Sequence, residues 1–147
     1  MSTICRQPGW EARLVALADF LRGQRFCWGR TDCAQIAFQA FDALVNAPIG
    51  LTAAYRHQYA SRASALRFQR RYHIDAAHVL RESGCIEVEP AYAQRGDILV
   101  GWKDGFACAH VVLGERVLSS HPDRGVFQTS VRELLAWPGL VGLRVPG

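Results

Sequence analysis

FCWGRTDCAQIAFQAFDAL, residues 26–44, joins an aromatic turn to a long apolar run. It holds two cysteines six positions apart. Cys27 lies between Phe26 and Trp28. Cys33 follows Gly29-Arg30-Thr31-Asp32 and opens an apolar run with helical spacing, in which Ile36, Phe38, Ala40, Phe41 and Leu44 face mostly inward. The spacing predicts a helix from Cys33 to about Val45, with Thr31 or Asp32 as its N-cap. Cys33 then falls in the first turn, where unpaired backbone N–H groups meet the positive end of the helix dipole. That setting favours a thiolate and could also hold a developing oxyanion. Cys27 has no such advantage.

Upstream, GWEARLVALADFLRG repeats apolar residues at Trp10, Leu14, Leu17 and Leu21 and stops at Gly23, which predicts another helix. Downstream, LTAAYRHQYASRASALRFQRRYH reads as one or two solvent-facing helices. IDAAHVLRESG closes the helical half, with Gly84 as a C-cap candidate. The period then changes. CIEVEP, RGDILVGW, ACAHVVLGERVLSS, GVFQTS and LVGLRV read as strands set apart by Gly, Asp and Pro, with VRELLAW a short helix or turn before the last. Helices first and antiparallel strands later is an α+β arrangement.

A chain of 147 residues suits one domain, expected over 1–147, and can bury a core without staples. No apolar stretch approaches the roughly 20 residues that span a bilayer, so membrane insertion is not expected. The N-terminus lacks the pattern of a signal peptide, so the expectation is synthesis in the cytoplasm. The net charge of +4 comes with sixteen Arg to one Lys but no basic block interleaved with aromatics, which argues against nucleic acid as a partner. Five cysteines without a C-x-x-C pair suit a reducing compartment, and most are read as small buried hydrophobes. No metal and no cofactor are expected, and phosphate-binding glycine loops are missing.

A thiol nucleophile needs an imidazole within reach and a third group to orient it. His57, His73 and His78 lie in the polar helical region, where surface or packing roles suffice. His110 interrupts the apolar run ACAHVVLG. It is either a satisfied core histidine or a placed functional one. A tight turn at Gly114-Glu115-Arg116 would bring His121 back beside it.

At this point the chain resembles the NlpC/P60 branch of papain-like cysteine peptidases, especially small phage-associated members. The resemblance rests on FCWGRTDC for an aromatic-x-Trp-Gly-x-x-Asp-Cys motif, RGDILVGW for a Gly-Asp-hydrophobic strand, and AHVVLG for the His-Val strand. LSSHPDRGV carries the third polar position, and the match runs from about Trp10 to Val145. It implies a papain-like core, with the Cys-bearing helix packed on a C-terminal antiparallel β-sheet. It implies Cys33 as nucleophile, His110 as general base and acid, and His121 as orienting residue. Asp32 is read as helix cap and local orienter, and Asp97 as fixing the turn into its strand. Phe26 stands where many relatives carry a tyrosine, so no hydroxyl is supplied from that position.

What the resemblance implies about function is a phage tail-tip cysteine peptidase or amidase. It would cleave peptide bonds in bacterial peptidoglycan and be carried in the virion with tail hub or tip subunits as partners. The runner-up is a structural tail-tip or tail-assembly protein that keeps the fold with little or no turnover. A thiol acyltransferase or deamidase is third.

Overall fold

The computed structural model describes residues 4–47, 50–72 and 75–147. Its order is α1 (Trp10–Leu21), α2 (Cys33–Val45), α3 (Leu51–Tyr55), α4 (Arg62–Tyr72), α5 (Ala76–Glu82), β1 (Ile86–Val88), a 3₁₀ turn at Pro90–Tyr92, β2 (Ile98–Lys103), β3 (Phe106–Val112), β4 (Arg116–His121), β5 (Gly125–Ser130), α6 (Val131–Leu135) and β6 (Val141–Arg144). The fold is α+β, and the strands form one antiparallel sheet in the order β1-β6-β2-β3-β4-β5. Among the described residues no helix is long and apolar enough to cross a membrane.

α2 is the central helix because nearly its whole circumference is apolar. Ile36, Ala37, Phe38, Ala40, Phe41 and Leu44 are all buried. Asp32 is its N-cap, accepting from the Gln35 N–H at 3.2 Å, and Asn46 closes it in the left-handed conformation. α1 lies against it, tied by Arg13 Nε donating to the Ala43 carbonyl at 2.7 Å. Leu14, Leu21, Leu44 and Leu80 are buried to within 1% of complete, and each such side chain contributes about 1.5–3 kcal/mol.

The helical half covers one face of the sheet, and a smaller apolar cluster covers the other. On β3, Ala107, Ala109 and Val111 join the helix-side core, while Val112 joins Leu99, Val117 and Leu134 on the far side. Strand alternation produces this division. Trp137 caps the far side. It lies directly on β2, because a Cβ at Gly101 would come within 2.6 Å of its ring.

β2 and β3 pair along their whole length and turn through Asp104-Gly105, both with positive φ, as a tight hairpin requires. β4 and β5 likewise pair over six positions. β3 and β4 pair only at Val111↔Leu118 and Val112↔Val117. Past that point they part, and the start of α2 fills the gap. The Ser120 hydroxyl on β4 donates to the Thr31 carbonyl at 2.5 Å, and the Cys33 thiol donates to the Ala107 carbonyl on β3 at 3.8 Å.

Asp97 performs the role expected of it. It is fully buried, accepts from the Gln94 N–H at 2.8 Å, and pairs through both oxygens with Arg144 on β6 at 2.8–2.9 Å. This fixes the entry to β2 and joins the turn to the neighbouring strand.

Candidate active site

The turn before α2 is specified residue by residue. Gly29 sits at φ 81°, and a Cβ there would stand 2.5 Å from the Tyr59 carbonyl, so both conformation and space require glycine. Its N–H donates to Asp32 Oδ2 at 2.7 Å, and its carbonyl accepts from His57 N–H at 3.0 Å. Thr31 is buried and bridges the Arg25 carbonyl and the Cys27 N–H at 2.8 and 2.7 Å. Asp32 is buried, and Tyr59 donates its phenol proton to Asp32 Oδ1 at 3.0 Å. Burial raises the Asp32 carboxyl above its ordinary range, against hydrogen bonds from Gly29, Gln35, Tyr59 and Ala34. Tyr59 thus places a phenol hydroxyl at the α2 cap. Phe26 packs edge-on against Trp28, with ring centroids 4.7 Å apart.

Cys33 is half-buried at the parted edge of β3, and the Cys108 thiol stands within hydrogen-bond reach of it. The hydrogen bond with Cys108 and burial push the Cys33 thiol well up, with the Asp32 charge adding and the Ala109 N–H opposing. The expectation of a thiol made acidic by its helix start is therefore corrected. A helix terminus is worth about 0.3–1 kcal/mol, less than one pKa unit, and burial beside a second thiol outweighs it. Cys108 moves the other way, lowered by the hydrogen bond from Cys33 and by the Lys103 charge. Of the two thiols, Cys108 is therefore the one that gives up its proton first.

His110 does not meet Cys33. Alternation along β3 turns it to the far face, where its ring packs edge-on against Trp137 at 5.4 Å. Its Nδ1 shares a 2.6 Å hydrogen bond with Ser119 Oγ, and its Nε2 is buried without a partner. Burial holds it down to about 4, so it is neutral at neutral pH. Of the two readings of His110, the core histidine fits, and the role of base for Cys33 is corrected.

His121 does not orient His110 either. The observed β3–β4 register brings Ser119, not His121, to His110. The sequence-based pairing was therefore out of step by two residues. His121 is half-exposed, and its Nδ1 accepts from the Asp123 N–H at 3.1 Å. Of the remaining histidines, His57 and His78 are exposed, and His73 lies outside the described residues.

Cys33, Cys108 and His121 border one cleft of about 270 Å³. Phe26, Trp28, Tyr59, Phe68 and Phe106 make its walls, with Trp28–Phe106 centroids at 5.8 Å and Arg62 over the Phe106 ring at 5.4 Å. Such a surface suits a ligand with apolar bulk and an anionic or carbonyl group for Arg62 and Lys103. Sequence reasoning missed Cys108 and Tyr59. The one available signal was that Cys108 stands two residues before His110, on the same strand face and nearer the open end.

No curated protein matches the chain. A family described as a domain of unknown function, DUF6950, matches residues 5–137, and the chain belongs to that family.

Proposed function

We propose that this domain is an NlpC/P60-like fold used for binding rather than for Cys-His-His hydrolysis, as a tail-tip or tail-assembly protein of phage. The motif letters of FCWGRTDC are accounted for by the turn they build, and the Cys-bearing helix packs on an antiparallel sheet. One observation carries the reading: the neighbour of Cys33 is a second thiol, while His110 is sealed against Trp137. Without a base in contact, a thiol whose pKa is raised is a poor nucleophile near neutrality. The cleft then serves recognition, and bacterial peptidoglycan and tail hub subunits are its proposed partners.

The test is digestion of purified peptidoglycan. The protein should release no more new amines than its Cys33→Ala variant, and it should be found in purified virions. Amine release that vanishes with Cys33→Ala overturns the reading. It would favour a second one, a peptidoglycan peptidase in which His121 serves Cys33. That alternative is kept because the two side chains border the same cleft and the Asp123 N–H fixes the His121 ring.

A further inference from the structure

The five cysteines are in three different situations. Cys5 and Cys27 are exposed and solitary. Cys85 is buried, and burial with the Asp97 charge pushes it up to about 12, which makes it inert. Cys33 and Cys108 come from distant parts of the chain yet meet at the edge of an open cleft, each half-buried. The meeting follows from the architecture. Because β3 and β4 part beyond Val111 and Leu118, the first residue of α2 can sit against the β3 backbone between the Ala107 carbonyl and the Ala109 N–H. Cys108 is the strand residue between those two groups, and its thiol also reaches the Phe106 carbonyl at 3.8 Å.

We propose that Cys33 and Cys108 are a thiol–disulfide exchange pair that reacts with low-molecular-weight disulfides entering the cleft, Cys108 attacking and Cys33 resolving. The Cys108 thiolate attacks one sulfur of the disulfide RSSR, which forms Cys108–S–SR and expels RS⁻. The Cys33 sulfur then attacks Cys108 Sγ, closing Cys33–Cys108 and expelling the second RS⁻. The two thiol protons end on the two released thiolates. Two protein thiols are oxidised by two electrons, and RSSR is reduced to two RSH. The roles follow from position and charge: Cys108 lines the cleft with Lys103, while the Cys33 thiol is engaged as a donor to the Ala107 carbonyl. The product ties the start of α2 to the sheet and removes the free Cys33 thiol. The inference rests on the thiol geometry alone and does not depend on what else the cleft binds.

The reduced full chain is mixed with hydroxyethyl disulfide, quenched with N-ethylmaleimide, digested without reductant and mapped by mass spectrometry. A Cys33–Cys108 linked peptide is expected. In Cys33→Ser the mixed disulfide should persist on Cys108. In Cys108→Ser the reaction at Cys33 should slow about tenfold or more, as the loss of the better thiolate requires. Wild-type protein gives a check that needs no variant: under limiting iodoacetamide, Cys108 should be alkylated before Cys33. A mixed disulfide that stays on either thiol of the wild type without closing the link overturns the proposal. So does alkylation of Cys33 ahead of Cys108, or reaction confined to Cys5 and Cys27.

Discussion

Two neighbouring stretches of β3 treat polar side chains in opposite ways. At the open end of β3, Cys33 and Cys108 border the cleft together with Asp32, which Tyr59 holds by a hydrogen bond. On the far face, His110 has one partner, Ser119, and Trp137 closes over it. The first set is positioned to meet a ligand. The second is a buried polar group half satisfied, a cost that the surrounding apolar cluster offsets. Cys108 and His110 share strand parity, so position along β3 rather than parity separates the two outcomes: Cys108 lies two residues nearer the open end, where the cleft reaches it.

The largest test of this contrast is acid. The His110 imidazole has its ordinary pKa near 6.5 in the unfolded chain and is held to about 4 by burial in the fold. Between those values the unfolded chain takes up a proton that the folded chain refuses. Stability is therefore full above pH 6.5 and falls as pH drops toward 4, by up to about 3 kcal/mol. Asp32, raised by burial, works in the opposite direction above its ordinary 3.8. Urea melts of wild type and of His110→Leu/Ser119→Ala across that window isolate the histidine. The double variant should lose most of the acid slope while keeping near wild-type stability at pH 7.5, since both partners leave together. An unchanged slope would mean that His110 is not sealed.

Trp137→Ala sharpens the same point from outside. Removing a half-buried indole should cost about 2–3 kcal/mol in a chemical melt. It should also move the His110 titration, followed by NMR of the ring, upward from about 4. If the titration stays in place, Trp137 is not what keeps water away.

On the cleft face the effects are smaller. Asp32→Ala removes the α2 cap and leaves the Gly29 N–H without its acceptor, for about 2 kcal/mol. Tyr59→Phe should cost about 1.5 kcal/mol, the lower end for a hydrogen bond to a carboxylate. The order reverses if the cleft network, and not the sealed histidine, dominates stability.

Much of the architecture was legible before any coordinates. α2 runs from Cys33 to Val45 as its spacing indicates, because Asp32 is a strong cap and the apolar residues that follow match a helical period. The strands of the second half fall where Gly and Asp punctuate the chain, and Gly84 takes the left-handed conformation after α5. What sequence could not deliver is long-range. Nothing local places β6 between β1 and β2, where it pairs with both strands and Arg144 meets Asp97 from 47 residues away. The apolar run around His110 conceals its phase, because a strand buried on both faces has no polar alternation from which to read direction. Phe26 and Trp28 of FCWGRTDC supply part of the cleft wall, but the rest comes from positions 59, 68 and 106, which share no motif.

The glycine at position 29 has a wider consequence. A side chain there would collide with the Tyr59 carbonyl whether or not the neighbouring sulfur ever cut a bond. The letters Trp-Gly-x-x-Asp therefore report a scaffold under steric constraint. A survey that counts enzymes by those letters alone counts folds, and it should look at the residue opposite the cysteine before assigning a reaction.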